Sequence, residues 1–401
     1  MGKKKGMTYA DLGVSSRKEE VHAAIKAVDK GLFPTAFCKV IPDVLTGDGS
    51  RCLVFHADGA GTKSILAYLW WKEHGDVNAF KGISQDALVM NIDDIACTGL
   101  ISGFIVSNTI GRNKFLVPGE VIEAIIDGYQ EFAHGMGRLG IDLHLCGGET
   151  ADVGDLVRTV IVDSTVLARG PRETIIETSS IVPGDVIIGI ASTGKATYER
   201  EENSGISSNG ITMARHAVLH RDYLAKYPEI ADPAVDKRLA YAGPYHLDDV
   251  VPGMSMPVGK ALLSPTRTYI PVIKDMLAKF ASPKEMKASI HGIVHATGGG
   301  MTKCGKFGSG LRYVKDALFD VPPVFAMIQE AGNVKWEEMY KVFNMGHRLE
   351  VMCVPSFAEE AISAARRRGI EAKVIGRIEK GEPGTANVVV VKSPKATFTY
   401  Q

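Results

Sequence analysis

The 43 glycines of this chain are gathered into clusters, and the clusters follow apolar runs. LVFHA, residues 53–57, runs into Asp58-Gly59-Ala60-Gly61-Thr62-Lys63. IHGIVHA, residues 290–296, runs into Thr297-Gly298-Gly299-Gly300, and a further pair stands in LHLCGGET. Glycine at a strand end places backbone against backbone or against a ligand. In the first cluster an acid stands before the turn, with Thr62 and Lys63 after it. Glycines let N–H groups approach a phosphate, an Asp can hold Mg²⁺, and a Lys can neutralise phosphate charge. The pattern GxxxxGK[ST] does not fit this segment, and GxGxxG fails at its last glycine. Alone, DGAGTK is a weak signal and reads more readily as a tight turn.

At 401 residues the chain has room for two or three domains. Its 46 basic and 46 acidic residues cancel, which leaves no electrostatic footprint for nucleic acid or a membrane surface. MGKKKG carries three lysines without an apolar run behind it, so no signal peptide is expected there. No stretch approaches the roughly 18 apolar residues of a membrane span. The six cysteines are scattered without a CxxC pair, which argues against a zinc site or disulfide framework and suits a reducing cytoplasm.

The first part reads as a mixed α/β domain, residues 1–170: a strand at 53–57, a helix at 83–99, a strand at 103–108, a helix at 120–139, then LHLCGGET and a β-rich run. Pro171-Arg172 marks a plausible boundary. The second part, 171–401, opens with a strand at 185–191. A polar loop at 195–210 follows, then a proline-bearing irregular stretch at 220–260. Helices are expected at 266–280 and 357–368, and strands at 372–378 and 388–391.

Within the 83–99 helix, Asp86 and Asp93 lie two turns apart on one face, with Asp94 beside them. A solvated face is the bland reading, but NIDDIACTG is too apolar and small for one. Asp58 and Glu149 add acids in glycine-rich settings, and Mg²⁺ on a nucleotide takes such carboxylates together with phosphates and water. Gly147-Gly148-Glu149-Thr150 permits close approach of a ligand or a tight turn. Thr297 to Gly300 reads as a phosphate cradle if a helix begins near Met301, and otherwise as a flexible loop. Ser207-Ser208-Asn209-Gly210 precedes a helix expected at 211–219 and reads first as a cap. Gly189 to Ala196 has Walker A spacing, but Ala196 stands where a hydroxyl is required and no amphipathic helix follows. No GxSxG or nucleophilic triad is present, and the eleven histidines read as structural or surface residues. Arg366 to Arg368 suit a helix C-terminus.

In order, DGAGTK, QDALVMNIDDIACTG, LCGGETAD, GDVIIGIAS, SSNG, LLSPTRTYI, HATGGG and VFNMGHRLEVM resemble the aminoimidazole ribonucleotide synthetase (phosphoribosylformylglycinamidine cyclo-ligase) family, over roughly residues 8 to 380. The resemblance implies a two-domain α/β (α+β) fold, an N-terminal domain that dimerises through its sheet, and a C-terminal α/β domain. It implies ATP-dependent closure of formylglycinamidine ribonucleotide to aminoimidazole ribonucleotide through an iminophosphate, with ATP and Mg²⁺ bound near the dimer interface. Carried over by position, Asp58, Lys63 and Asp94 are catalytic, and Asp94 and Glu149 hold the metal. Gly59, Gly61, Thr62, Asp86, Asn91, Gly147, Gly148 and Thr150 line the nucleotide. Ser208, Asn209, Gly210, Thr297, Gly298, Gly299 and Gly300 face the substrate. The chain departs from the family at Ser207, where a histidine is usual, and in longer stretches at 195–206 and 220–260. The departures keep two alternatives open: another ATP-dependent amide- or acid-activating enzyme on this fold, or a non-catalytic nucleotide-binding homologue.

Overall fold

The computed structural model describes residues 6–15, 19–382 and 384–401; the lysine run at 3–5 lies outside them. The first sheet has the order β1-β2-β5-β3-β4, with β1 Val40–Pro42, β2 Arg51–Gly59, β3 Phe104–Arg112, β4 Leu143–Asp152 and β5 Val160–Pro171. Its long central pair, β2 and β5, is antiparallel from Arg51 opposite Pro171 to Gly59 opposite Asp163. β3 pairs antiparallel with β5 and parallel with β4. Alternation along β5 sends Val160, Val162, Ser164, Val166 and Ala168 into the core. That face is covered by helices Ala79–Ala96 and Gly119–Gly137. The opposite face carries Phe55, Ile105 and Ile161 into the open.

Helix Ala79–Ala96 explains the odd composition of its sequence. It is buried from Asp86 through Ala96 on every side, so the three acids are interior groups and the solvated-face reading fails. Loops and strands of the second half close over the carboxylates that the first sheet leaves uncovered. GGET is not a tight turn: Gly147 to Thr150 lie within β4, beside a bulge opposite Asn108.

The second sheet has the order β14-β13-β10-β12-β6-β11-β9: β6 Val186–Ala191, β9 Ile290–His295, β10 Leu311–Lys315, β11 His347–Cys353, β12 Ala372–Lys380, β13 Val388–Lys392 and β14 Thr397–Tyr400. The pair β10 and β13 is parallel and the others are antiparallel. The two-residue strands β7 Thr193–Gly194 and β8 Asn203–Ser204 pair where a P-loop helix would have to begin. There Arg267, almost wholly buried, donates to the carbonyls of Ala191, Thr193 and Gly194 at 3.2, 2.7 and 2.7 Å. A loop whose carbonyls wrap a guanidinium cannot offer its N–H groups to phosphate, so the Walker-like spacing is coincidental. The 220–260 stretch holds the short helices Asp222–Lys226, Pro228–Ile230 and Val258–Leu263. It packs on helix Ser64–His74 through Tyr68 to Glu229 at 2.5 Å, Tyr227 to Glu73 at 2.6 Å, and His74 to Asp248 at 2.9 Å.

Candidate active site

β2 ends at Gly59, and the single 3₁₀ turn Gly61–Lys63 leads directly into helix Ser64–His74. A side chain at position 59 would put its Cβ 1.7 Å from Asp163 Oδ1, so only glycine lets the chain turn there. Lys63 then points inward and is wholly buried. Its ammonium donates to Asp86 Oδ1 at 3.0 Å and to the Ser264 carbonyl at 2.5 Å, while Asp86 Oδ1 also accepts the Thr266 N–H at 2.7 Å. A phosphate is the partner that DGAGTK leads one to expect for this ammonium. The structure instead turns it towards Asp86, because a dry lysine needs a counter-charge at contact distance. Burial still lowers its proton affinity, with Asp86 opposing.

Two turns on, two adjacent carboxyls have opposite fates. Asp93 accepts from the Thr268 hydroxyl at 2.6 Å and the Tyr269 N–H at 2.8 Å, and burial pushes it up to about 7. Burial would also raise Asp94, but Lys303, His295 and His56 together hold it down at about 2. His295 Nδ1 lies 2.6 Å from Asp94 Oδ1, and His56 Nε2 lies 3.7 Å from Oδ2. Burial, with Arg348 nearby, lowers His295 itself to about 4. At neutral pH its imidazole is therefore uncharged and holds Asp94 as an Nδ1–H donor. That tautomer leaves Nε2 a bare acceptor, without a hydrogen-bond partner among the described residues. Arg348, also buried, spends one N–H on Met90 Sδ at 3.1 Å and leaves Nε and Nη1 unpartnered among the described residues. Neighbouring acids pushed apart in this way take different roles.

Asp93→Asn tests that difference. The amide oxygen can accept from Tyr269 and the amide nitrogen can donate to the Thr268 hydroxyl, so stability at pH 6 should fall by under about 1.5 kcal/mol. The folded pKa of Asp93 is raised, so its contribution is full below about pH 4 and is lost as pH rises through about 7. Urea melts of Asp93→Asn should lack that decline, and an unchanged slope would contradict the assignment.

The remaining expected residues fall into three groups. Asn91 is a clip: its amide donates to the carbonyls of Asp58, Ala87 and Ser164 and its Oδ1 meets His56 Nδ1 at 2.9 Å, so it fixes the end of β2. Thr62 reaches across to Thr212 at 2.8 Å, while Asp58 is exposed and its Oδ1 accepts the Gly59 N–H at 2.8 Å. Gly210 and Gly300 are brought together over Phe343 of the FNMG segment. A Cβ at 210 would meet its ring at 2.3 Å, and one at 300 its carbonyl oxygen at 2.4 Å. Thr297, Gly298 and Gly299 complete that loop, and a 3₁₀ helix, Gly300–Lys306, begins where a helix was expected. Lys303 within it donates to Thr297 Oγ1. Ser208 Oγ lies 3.4 Å from Thr266 Oγ1, and Asn209 Oδ1 is buried without a partner among the described residues. Ser207 is buried too, and its Oγ accepts the Asn209 N–H at 3.2 Å.

Glu149 stands apart. It is exposed on β4 opposite Thr109, with Gly147, Gly148 and Thr150 beside it. β4 is three strands from β2, which is about 14 Å at the usual spacing. Within one chain, three strand spacings thus separate the strand of Glu149 from that of His56, the neighbour of Asp94. His56 and His295 each precede their glycine cluster by two residues and flank the same carboxylate. Their shared position before DGAGTK and TGGG was a usable signal. Arg348 and Lys303 gave none.

Two family descriptions fit the chain: AIR synthase related protein, N-terminal domain, over residues 38–169, and its C-terminal domain over residues 271–389. Curated relatives include phosphoribosylformylglycinamidine cyclo-ligase of Methanococcus vannielii, 30% identical and covering 93% of this chain and 92% of that one. The enzyme of the same name from Symbiobacterium thermophilum is 30% identical over 96% of this chain and 99% of its own. Among solved structures, a chain of the HypE–HypF complex superposes with TM-score 0.54 at 13% identity, over 96% of this chain and 99% of that one. T. maritima PurL complexed with FGAR gives 0.51 at 12% identity, over 98% of this chain and 54% of that one. These two likenesses speak for the fold.

Proposed function

This chain belongs to the AIR synthase related family, and from that premise we propose that it closes formylglycinamidine ribonucleotide to aminoimidazole ribonucleotide in purine biosynthesis, coupled to hydrolysis of ATP. Relatives aligned over nearly the whole of both chains bear that activity in their names, which supports the substrate. One observation carries the chemistry: Asp94, buried yet held ionised, sits where the strands leading into DGAGTK and TGGG meet.

The residues present fit ATP and Mg²⁺. The donors on offer are carboxylate oxygens, open space stands where a Cβ on Gly61 or Gly147 would project, and Asn209 Oδ1 and His295 Nε2 are buried polar atoms still lacking partners among the described residues. Asp94, with Asp58 and Glu149, would hold the ion, which when bound neutralises phosphate charge. Gly59, Gly61 and Thr62, with Gly147, Gly148 and Thr150, would line the nucleotide, and Lys63 would add positive charge behind it. Ser208, Asn209, Gly210 and the 297–300 loop would orient the ribonucleotide. An amide oxygen leaves badly. Phosphorylation makes it an iminophosphate, the amidine nitrogen attacks the carbon, and phosphate departs. These residues need only align the two ends and stabilise phosphoryl charge.

The separation of Glu149 from Asp94 favours a homodimer. The uncovered sheet face carries Phe55 opposite Leu167 and Leu167 opposite Ile105, an apolar row, with Asp163, Thr109 and Glu149 in the same face's polar row. Phe55 is 65% exposed and Ile105 45%, which is wasteful unless a second copy covers them. Phe55→Glu with Ile105→Glu should halve the mass seen by light scattering and lower turnover at least about tenfold. A fully active monomer would count against the shared interface.

A second reading, another ATP-dependent amide- or acid-activating reaction, is favoured by Ser207, whose hydroxyl is used up in a turn where the family has an imidazole. The deciding experiment incubates the protein with formylglycinamidine ribonucleotide, ATP and Mg²⁺. Aminoimidazole ribonucleotide and ADP should appear in equal amounts. ADP release stimulated instead by a different amide or acid would favour the second reading.

A further inference from the structure

The 220–260 stretch holds a side-chain cluster that the proposed reaction does not use. His220 Nδ1, Asp222 and His246 Nε2 converge at the surface, with their ligand-capable atoms all within 4.8 Å of one another. The convergence is imposed by the backbone. Leu219 and Tyr245 form a parallel bridge, with the His220 N–H on the Tyr245 carbonyl at 2.8 Å and the Tyr245 N–H on the Val218 carbonyl at 3.0 Å. The Leu247 N–H donates to the Tyr223 hydroxyl at 2.8 Å, which seats the next turn. The two imidazoles thus face each other with ring centres 4.8 Å apart.

The distances are those a metal site would have, and they also lie within ion-pair reach. Four ligands at about 2.0–2.1 Å around a tetrahedral ion lie about 3.3–3.4 Å from one another. Asp222 Oδ2 is 3.1 Å from His220 Nδ1 and 3.4 Å from His246 Nε2. His220 Nδ1 accepts the backbone N–H of Asp222 at 3.3 Å. Without a proton on Nδ1, attraction between the ring nitrogen and the carboxylate needs a positive charge between them, and the long N–H contact would yield to it. A cation supplies that attraction. Behind His246, Asp249 Oδ2 accepts the His246 backbone N–H at 2.7 Å and lies 3.9 Å from Nδ1, the side from which a carboxylate steadies a metal-bound imidazole.

We propose that His220, Asp222 and His246 form a surface site for one divalent transition ion of the Zn²⁺ class, completed by water, which ties the 219–222 segment to the 245–249 segment. Two imidazole nitrogens and one carboxylate select Zn²⁺, Co²⁺ or Ni²⁺ over Mg²⁺ and Ca²⁺, which prefer all-oxygen sites. The site stands apart from the acids proposed for ATP and does not depend on the ring-closing reading.

The probe is Zn²⁺ alone, added to the apo protein by isothermal titration, with Co²⁺ absorption as the report on geometry. One equivalent should bind with a micromolar or tighter Kd, raise Tm, and give the intense visible bands of tetrahedral Co²⁺ without a thiolate charge-transfer band. His246→Gln and His220→Gln, both at exposed or half-exposed positions, should fold normally and each weaken that binding at least tenfold. Mg²⁺ should not compete. Undiminished binding in both variants would overturn the proposal, as would a thiolate band, which points to the exposed Cys146. Octahedral Co²⁺ spectra lost equally in the variants would retain the ligands but overturn the tetrahedral geometry.

Discussion

Asp94→Asn is expected to lower ATP turnover by about a hundred- to a thousand-fold while leaving a folded protein. The magnitude follows from removing a carboxylate that Lys303, His295 and His56 keep ionised against burial, where a single preorganised electrostatic group is commonly worth a hundred- to a thousand-fold. The fold should survive because the amide oxygen can still accept from His295 Nδ1, now 2.6 Å from Asp94. Lys303 and His56 lose their counter-charge, so a cost of about 2 kcal/mol in urea melts is reasonable. Asp94 has a depressed folded pKa. Its contribution is present above about pH 4 and disappears as pH falls through about 2, so the variant should lose part of the acid limb of the stability curve. Near-normal turnover would remove Asp94 from the site. The neighbouring Asp93→Asn, with a carboxyl that burial keeps protonated towards neutrality, should be mild in both respects, so the pair separates chemistry from packing.

Much of this arrangement was legible in the sequence. The glycine clusters mark strand ends because a turn too crowded for a Cβ admits little else, and Gly59 against Asp163 shows the reason. The helix carrying Asp86, Asp93 and Asp94 showed its burial in its small, apolar composition. It ran from Ala79 to Ala96 where 83–99 was expected, because composition fixes the middle of a helix and caps fix its ends. What stayed hidden were contacts made at long sequence separation. His295 to Asp94 and Thr268 to Asp93 span 201 and 175 residues, and no local periodicity reports them. The GGET glycines answer to the same crowding inside a strand: β4 bulges beside Asn108, Gly147 takes a φ of 80°, and a Cβ on Gly148 would meet the Asn108 carbonyl oxygen at 2.0 Å.

Lys63→Met alone is expected to lose about 3–5 kcal/mol, because it strands the Asp86 carboxylate in a dry interior. Asp86→Asn alone should cost a similar amount by stranding the ammonium. The double variant Lys63→Met/Asp86→Asn leaves no charge behind. Its amide oxygen can still accept the Thr266 N–H, and its nitrogen can turn towards the Ser264 carbonyl that Lys63 served. Stability should therefore return to within about 1–2 kcal/mol of the parent, a coupling that denaturant melts of the four proteins would measure. Turnover should not return with it. An apolar or neutral pair folds as well as a buried ion pair, so stability does not explain why the chain keeps a charged one here. The lysine directly follows the glycine turn, and a positive charge behind that turn favours phosphate at its mouth. A double variant at least about a hundred-fold slower than the parent, with its fold restored, would place the value of Lys63 in the reaction. Recovery of rate together with stability would reduce the pair to a scaffold for the DGAGTK turn.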